Sequence, residues 1–411
     1  MRLWLYRLVV MPTTLMLLPG LALFNRKIRQ GLALRLKTSP LPNFTQQPLW
    51  LHAASGEFEY AKPVIRELKA RHPHLPVVVT YFSPTFRRAV ENFPGVDFAL
   101  PLPLDLPGPC HSLIKRLNPR ALLIARTDLW PELLTQAGRR KIPIHVFSYT
   151  QKKPRWPLLS RLRLNLVDSV DCVSTTDLQE LQALRAKPKA TLGGDTRYDQ
   201  VRFRLDHPKA LPNVLKPVKT AFVAGSTWPE DEAVLLPGLA EHLKAGRLQL
   251  ILVPHEPTLT HLADLKKRLS ALGLTHTLFS EQKSWSDQQV LLVDQIGVLA
   301  ELYEWGHFAF VGGSFKKTVH SVMEALGAGC ITFVGPKHLN NREAVEFSNL
   351  LLHGKPGIAV VSSSQELKAA VAEEMKATPK DLAAFQEALT NEFKSRQGAT
   401  LKLVNKIETW L

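Results

Sequence analysis

The 411-residue sequence has little cysteine and no motif for a metal site. Its three cysteines, Cys110, Cys172 and Cys330, are odd in number and lie far apart in apolar or turn contexts. This pattern predicts reduced, buried cysteines in a cytosolic protein and excludes a secreted domain stabilised by disulfides. The sequence also lacks a His-Glu-x-x-His motif, a cysteine cluster and a paired-aspartate motif, so we predict no metal and no other cofactor.

The sequence features typical of nucleic-acid-binding proteins are absent as well. There is no zinc-finger spacing, no interleaving of aromatic and basic residues, and no long basic run on a predicted helix. Nevertheless, 52 lysine and arginine residues against 36 aspartate and glutamate residues give a net charge of +16. This charge predicts an anionic partner, and the missing motifs favour an anionic membrane surface or a phosphorylated substrate over nucleic acid.

The N-terminus contains a membrane-seeking segment. Residues 8–24 carry no charge, and arginine and lysine residues flank them on both sides. Because the heavier basic cluster follows the apolar run, we predict an anchor over residues 1–37 that keeps the remaining chain at the cytoplasmic face of a membrane. Seventeen residues with Pro12, Pro19 and Gly20 among them are compatible with a short span, a re-entrant turn or an interfacial helix.

The rest of the chain predicts an α/β fold with two domains. A hydrophobic content of 45% in 411 residues is sufficient for two cores. Short apolar segments alternate with helical patterns, as in parallel sheets covered on both faces. We predict two doubly wound, Rossmann-like domains at residues 38–205 and 220–411, joined by a proline-containing linker at residues 206–219. The C-terminal helix is expected to pack back on the first domain. Predicted strands are residues 48–52, 77–80, 121–124, 144–147, 220–224, 248–253, 290–293, 308–311 and 330–334.

Polar side chains follow two predicted strands of the first domain. Glu57 follows strand 48–52 at a helix start, where a carboxylate can accept a proton from a sugar hydroxyl. The alternative is an acidic residue that only favours the helix N-terminus. Arg126 and Asp128 follow strand 121–124. Here Asp128 can orient a substrate and Arg126 can pair with a carboxylate or phosphate, or Asp128 can simply start a helix with Pro131 in its first turn.

In the second domain, four loops follow strands at one edge of the predicted sheet. The Gly-Gly-Ser turn at residues 312–314 offers backbone amides to a phosphate, and Glu324 on the next helix can reach a ribose. A Gly-Gly-Ser turn is also an ordinary connection. Residues 224–227, 254–257 and 294–297 form the other three loops, and together they predict a nucleotide-sugar site in a cleft between two facing domains.

These motifs resemble those of the Kdo transferase family, which attaches 3-deoxy-D-manno-octulosonic acid (Kdo) to the lipid A precursor in Gram-negative bacteria. The family pattern Val-Gly-Gly-Ser is unaltered at residues 311–314. Its His-x-x-Ser-Val-Gly-Glu pattern resembles His-Ala-Ala-Ser-Gly-Glu at residues 52–57, which is one residue shorter. Further resembling segments are residues 83–85, 126–131, 194–199, 226–232, 253–257, 318–324 and 335–340.

The resemblance implies a GT-B fold, an N-terminal membrane anchor at the bacterial inner membrane, and a role in lipopolysaccharide synthesis. It implies CMP-Kdo as donor, a phosphorylated glycolipid as acceptor, and an inverting transfer without metal. Glu57 matches the general base of the family. Arg126 and Arg197 fall where the family has a glutamate and a lysine that stabilise the transition state. The implied donor-binding residues are Pro254, His255, Ile296, Gly297, Val298, Ser321, Val322, Met323 and Glu324.

The sequence departs from the family pattern at three places. Arg126 replaces a glutamate and so reverses a charge, and His255 replaces an arginine. The family pattern Gly-Gly-His-Asn-x-Leu-Glu is reduced to Thr-Val-His-Ser-Val-Met-Glu at residues 318–324. Three interpretations therefore stay open: a divergent Kdo transferase, a GT-B transferase with another nucleotide sugar, and a catalytically silent protein that binds lipid or a partner.

Overall fold

The computed structural model describes Trp4 and residues 6–36, 41–151 and 156–411. The chain forms two compact units, Met1–Gln200 with Arg396–Leu411, and Val201–Ser395. The C-terminal residues thus belong to the first unit. The predicted boundary between residues 37 and 38 lies outside the described residues.

The first unit contains a seven-stranded sheet in which every pair of neighbouring strands is parallel, in the order β3-β2-β1-β4-β5-β6-β7. Helices connect the strands, as the two-faced burial of a parallel sheet requires. Its elements are α1 (Met11–Phe24), α2 (Arg26–Leu36), β1 (Leu49–His52), α3 (Phe58–Arg71), β2 (Val77–Tyr81), α4 (Arg87–Glu91), β3 (Phe98–Pro101), α5 (Pro107–Leu117), β4 (Ala121–Ala125), α6 (Pro131–Arg139), β5 (Ile144–Tyr149), α7 (Pro157–Leu164), β6 (Ser169–Cys172), α8 (Thr175–Ala183), β7 (Lys189–Leu192) and the start of α9 (Thr196–Asp206).

The second unit contains another seven-stranded parallel sheet, in the order β10-β11-β9-β8-β12-β13-β16, and a short antiparallel pair, β14-β15. Its elements are β8 (Ala221–Thr227), α10 (Pro229–Lys244), β9 (Gln249–Pro254), α11 (Leu259–Ala271), β10 (His276–Leu278), β11 (Val290–Leu292), α12 (Leu299–Tyr303), β12 (Phe308–Val311), α13 (Met323–Gly327), β13 (Ile331–Val334), α14 (Arg342–Asn349), β14 (Leu351–Leu352), β15 (Lys355–Pro356), β16 (Ile358–Val360), α15 (Ser364–Glu374) and α16 (Pro379–Ser395). Helix α17 (Ala399–Ile407) follows in the first unit. The predicted α/β class with two doubly wound sheets is confirmed.

Successive residues in the strands of the first sheet pack into two hydrophobic cores, one on each face of the sheet. Leu49 and Leu51 point into one core, which α17 helps to cover with Leu403 and Val404. Trp50, between them in the sequence, points into the other core. A strand buried on both faces explains why β1 carries apolar residues at three successive positions.

The three cysteines are free and buried, as the sequence predicted. Burial raises the pKa of the Cys172 and Cys330 thiols to about 12. The thiols therefore stay protonated at neutral pH, which suits a packing role rather than a reactive one.

The N-terminal segment is a helix. Residues Tyr6–Phe24 are long and apolar enough to cross a membrane, with a mean hydropathy of 1.7 and 6% of the segment buried. A π-helical turn at Tyr6–Val10 leads into α1, which continues through Pro19 and Gly20. The three expected forms of the anchor stay predictions.

A buried charge cluster in the first unit connects α17 to the sheet. Asp171 on β6 is 4% exposed and accepts hydrogen bonds from His145, Thr191 and Lys406. Burial by itself raises the pKa of Asp171, but these hydrogen bonds and the charge of His145 outweigh it and lower the pKa to about 2. The carboxylate is thus held in its charged form.

We expect Asp171→Asn to lower the free energy of unfolding by about 3 kcal/mol, because it leaves Lys406 and His145 without their buried anion. Since the folded-state pKa lies below the ordinary value, the stabilisation is complete above pH ~4 and is lost as the pH falls toward 2. Urea unfolding between pH 7 and pH 2 measures both effects. Glu67→Gln, which removes a surface pair with Arg71, is the control and should cost less than about 1 kcal/mol. Equal losses for the two variants would contradict this account.

Candidate active site

The candidate site of the first unit lies where its strand order reverses. Strand β1 has β2 on one side and β4 on the other, and the chain leaves β1 toward β2 and later returns to β4. In open parallel sheets, ligands bind outside the carboxyl ends of the two strands at such a switch point. The residues that follow β1 and β4 include Glu57 and Arg126, two of the predicted catalytic residues.

Glu57 presents one free carboxylate oxygen. Its Oε2 atom accepts hydrogen bonds from the backbone amide and the hydroxyl of Ser55, both at 2.9 Å. Glu57 occupies the N-cap position of α3 and makes no side-chain capping bond. This position also fits the alternative of an acidic residue that favours the helix N-terminus. Within the described part of the chain, Oε1 accepts no hydrogen bond, and it is therefore available to a substrate.

Arg126 and Arg197 both lie against one aromatic ring, that of Tyr60. The Arg126 guanidinium donates to the Tyr60 hydroxyl at 2.5 Å and lies 4.9 Å from the ring centroid. The Arg197 guanidinium lies 5.8 Å from the same centroid. Tyr60 follows Glu57 by one helical turn, so the structure brings the two predicted cations together beside the helix that carries the predicted base.

Arg126 has a left-handed backbone conformation, with φ of 67°. A bulky residue rarely adopts this conformation outside functional or tightly constrained sites. Its amide donates to the carbonyl of Phe147 and its second guanidinium nitrogen donates to Thr150. These bonds fix the turn after β4 and aim the side chain at Tyr60.

Asp128 lies within hydrogen-bonding distance of His52 and does not start a helix. Its Oδ2 atom lies 2.7 Å from Nε2 of buried His52 and accepts from the Trp130 indole at 2.9 Å. Helix α6 begins at Pro131 with Trp130 as N-cap, so the interpretation of Asp128 as helix start is wrong. Burial raises the pKa of Asp128, but the bonds from His52 and Trp130 outweigh it and hold the pKa below its usual value. Asp128 is accordingly a weaker base than an ordinary aspartate.

The second unit has its own switch point between β8 and β12. The turn at residues 312–314 lies very close to β8, since a Cβ atom on Gly312 would lie 2.2 Å from the carbonyl oxygen of Ser226. The amides of Gly313 and Phe315 donate to buried Asp231 at 2.7 and 3.0 Å, and that of Gly312 donates to the carbonyl of Gly225. The prediction that the amides of the 312–314 turn contact a phosphate is therefore wrong for Gly312 and Gly313. The two glycines allow the turn to pack closely against β8, and the amide of Gly313 takes part in a hydrogen-bond network around Asp231.

An aromatic stack lies beside this turn. The rings of His255 and His320 are parallel within 9° with centroids 4.2 Å apart, and Trp228 lies 4.8 Å from His255. The indole of Trp228 donates to Nε2 of His320 at 2.9 Å, and Nζ of Lys316 lies 3.2 Å from the Trp228 ring centroid. The stack offers flat ring faces and one cation at the carboxyl edge of the sheet, which is a suitable surface for a base and a phosphate.

His320 is expected to stay neutral down to unusually low pH. Burial, with the charges of His255 and Lys316, lowers its pKa to about 4. A histidine-resolved NMR titration should give a midpoint near pH 4, and Lys316→Met should move that midpoint upward because it removes a nearby positive charge. A midpoint near the ordinary 6.5 in the unaltered protein would contradict the buried, uncharged arrangement.

The other predicted donor-binding residues lie at three places: the end of β9, the loop before α12, and the loop and first turn of α13. Glu324 accepts from the hydroxyl of Ser321 in the first turn of α13. Val322 and Met323 are buried in the core, so only their backbone is available to a ligand. Ile296 is 79% exposed and precedes Gly297, which has φ of 90° and whose carbonyl accepts from Lys209. Pro254 is the last residue of β9, and Val298 directly precedes α12.

Comparisons with known proteins show which family the chain is similar to. Residues 27–200 match the model of the 3-deoxy-D-manno-octulosonic-acid transferase (kdotransferase) family. A 3-deoxy-D-manno-octulosonic acid transferase of Haemophilus influenzae is 29% identical over 388 residues, which cover 89% of this chain and 88% of that protein. The Aquifex aeolicus protein of the same name is 26% identical over 80% of this chain and 92% of its own length. The chain is similar to the Kdo transferase family over most of its length.

Solved structures show the same fold. UDP-GlcNAc 2-epimerase from Neisseria meningitidis is similar with a TM-score of 0.61 at 14% identity, covering 89% of this chain and 98% of its own. A glycosyltransferase from Rickettsia africae has a TM-score of 0.53 at 12% identity, with coverages of 89% and 98%. The chain thus has the GT-B fold with two Rossmann-like units.

Four residues of the candidate site were missed by sequence reasoning: Tyr60, Trp228, Lys316 and His320. Trp228 and His320 lie inside segments that resemble family motifs, and their aromatic character at predicted strand ends was the available signal. Tyr60 had no such signal. Its importance comes from Arg126 and Arg197, which lie 66 and 137 residues away in the sequence.

Proposed function

We propose that this protein is a Kdo transferase, which transfers Kdo from CMP-Kdo to a hydroxyl group of a phosphorylated lipid A precursor. The observation that carries the proposal is the carboxylate of Glu57. One of its oxygens is held by Ser55 and the other is free at the switch point of the first sheet. The relatives named 3-deoxy-D-manno-octulosonic acid transferase supply the donor class.

In the proposed reaction, Oε1 of Glu57 takes the proton of the acceptor hydroxyl as that oxygen attacks the anomeric carbon of Kdo. The bond between this carbon and the CMP phosphate breaks, and its electron pair leaves with CMP. Attack from the face opposite the phosphate inverts the configuration. The guanidinium groups of Arg126 and Arg197 stabilise the negative charge that moves from the hydroxyl oxygen to the leaving phosphate, without a metal ion.

The donor is proposed to bind along the carboxyl edge of the second sheet. Pro254 and His255 support the cytosine with the stacked rings, and Lys316 attracts the phosphate. Glu324 accepts hydrogen bonds from the ribose, with Ser321, Val322 and Met323 completing its loop. Residues 296–298 close the other side with backbone groups.

The acceptor and location follow from the charge and the apolar helix. A net charge of +16 attracts a phosphorylated glycolipid and an anionic membrane surface. With Tyr6–Phe24 as anchor, the protein is proposed to act at the cytoplasmic face of the bacterial inner membrane. The anchor would keep the first unit close to the lipid substrate.

The proposal is tested by incubating the full chain with CMP-Kdo and lipid A precursor and by measuring CMP release and the mass of the lipid product. We expect CMP release that depends on the acceptor, with a product heavier by whole Kdo residues. Other nucleotide sugars, offered singly, should give no product. Turnover with another nucleotide sugar alone would overturn the donor assignment, and absence of turnover with every donor would favour a silent binding protein.

A further inference from the structure

An apolar cavity of about 410 Å³ lies in the first unit between α1 and the carboxyl edge of the sheet. Leu15 and Leu18 of α1 line one wall, and Phe82, Leu129 and Trp130 line the opposite wall. The Phe82 and Trp130 rings stack at 5.3 Å with 17° between their planes. The volume falls in the range of small-molecule and lipid-chain sites.

Two buried polar contacts fix the N-terminal end of this wall. The Tyr6 hydroxyl donates to Asp105 at 2.7 Å, and Arg7 forms a two-pronged pair with buried Glu132 at 3.0 and 2.7 Å. Asp105 also accepts the amides of Glu132 and Leu133 at the start of α6. The apolar helix is therefore attached to the domain at its N-terminal end, and the cavity beside it is a defined part of the first unit.

The outer surface of the same helix indicates what surrounds the cavity. Met16 is 83% exposed and Leu17 is 56% exposed, although both are strongly apolar. Such a surface is stable in hydrocarbon and unstable in water. A cavity directly behind it opens toward acyl chains rather than toward water-soluble ligands.

The cavity also borders the turn that carries the candidate catalytic groups. Thr127, Asp128, Leu129 and Trp130 line it, and they belong to the turn after β4 that begins with Arg126. Arg163 reaches the same cavity and forms no ion pair among the described residues. A chain in the cavity would thus lead to a headgroup beside Arg163 and Asp128, where a guanidinium can bind a phosphate.

We propose that this cavity binds one acyl chain of the glycolipid acceptor, and so sets the acceptor's position relative to Glu57. This inference rests on the proposed function, because the acceptor is the lipid of that reaction. A bulk phospholipid offers the same chain chemistry. The shared turn favours the acceptor, since only the acceptor must place its headgroup beside Arg163 and Asp128.

Leu18→Trp fills the cavity, whereas Leu17→Trp adds the same ring to the exposed side of the helix. With acylated precursor, we expect Leu18→Trp to raise KM at least about tenfold and Leu17→Trp to change it less than about twofold. Each methylene removed from water contributes a factor of about four in affinity. Acceptors with shorter chains should therefore show a stepwise increase of KM in the unaltered protein and in Leu17→Trp, but not in Leu18→Trp. A fully deacylated acceptor should be used equally by all three proteins.

A second readout does not depend on turnover. A precursor with a diazirine on one acyl chain should crosslink to residues 6–24 or 127–131 in the full chain and in Leu17→Trp, and lose this crosslink in Leu18→Trp. Phosphatidylethanolamine carrying the same diazirine should crosslink there only weakly. Two results would overturn the proposal. One is labelling by the phospholipid that equals labelling by the precursor and is not displaced by added precursor. The other is an equal KM for Leu18→Trp and Leu17→Trp. Normal crosslinking without any transfer would instead contradict the proposed function and leave the lipid site standing.

Discussion

Glu57→Gln is expected to lower kcat by a factor of about 10² to 10⁴, with little change in the KM for either substrate. Glutamine keeps the size of the side chain and can still accept a hydrogen bond from Ser55, but it cannot take a proton from the acceptor hydroxyl. General base catalysis is worth a factor of this size. The measurement is the initial rate of CMP release with saturating donor and acceptor.

Ser55→Ala is the matched control for this variant. It removes the hydroxyl contact to Oε2 but leaves the backbone amide of Ser55 in place, so the carboxylate keeps one of its two bonds. We expect less than about a tenfold reduction of kcat. If Glu57→Gln retained the full rate while Asp128→Asn abolished it, Asp128 and not Glu57 would be the base.

Arg126→Ala is expected to lower kcat by a factor of about 10² to 10³. The variant removes one of the two guanidinium groups against Tyr60, and loss of a preorganised group that stabilises transition-state charge has an effect of this size. The expected effect on the KM for CMP-Kdo is smaller, because the stabilised charge develops during bond cleavage. Steady-state kinetics at several donor concentrations separate the two parameters.

Two further substitutions at this position test the role of charge. Arg126→Lys keeps a cation but loses the planar fork that reaches Tyr60 and Thr150, so partial activity is expected. Arg126→Glu introduces the residue found at this position in the family pattern. Activity of Arg126→Glu above that of the unaltered protein would contradict a stabilising role for the arginine.

The strands that could be predicted from the sequence are those buried on both faces. Residues 121–124 and 308–311 are continuous apolar runs, and the structure has β4 and β12 there. Strand β7, Lys189–Leu192, was missed because it is an edge strand with mostly exposed side chains, which gives no apolar run. The pattern of apolar residues reflects burial, and it therefore identifies central strands better than edge strands.

Residues of the candidate site could be predicted where they directly follow a predicted strand. Glu57 and Arg126 were found in this way, since the carboxyl ends of parallel strands share an edge of the sheet. The ring of Tyr60 between two arginines was not predictable, because it depends on contacts between distant segments. The hydrogen bond from the Gly313 amide to Asp231 could not be predicted for the same reason, because the two residues are distant in the sequence.

The most direct test of the account is a crystal structure of the full chain with CMP and an unreactive acceptor analogue that retains the accepting hydroxyl. The account predicts that Oε1 of Glu57 lies within hydrogen-bonding distance of that hydroxyl, about 2.6 to 3.2 Å, while Ser55 still holds Oε2. A hydroxyl bound instead to Asp128, with Glu57 turned away from the acceptor, would contradict it.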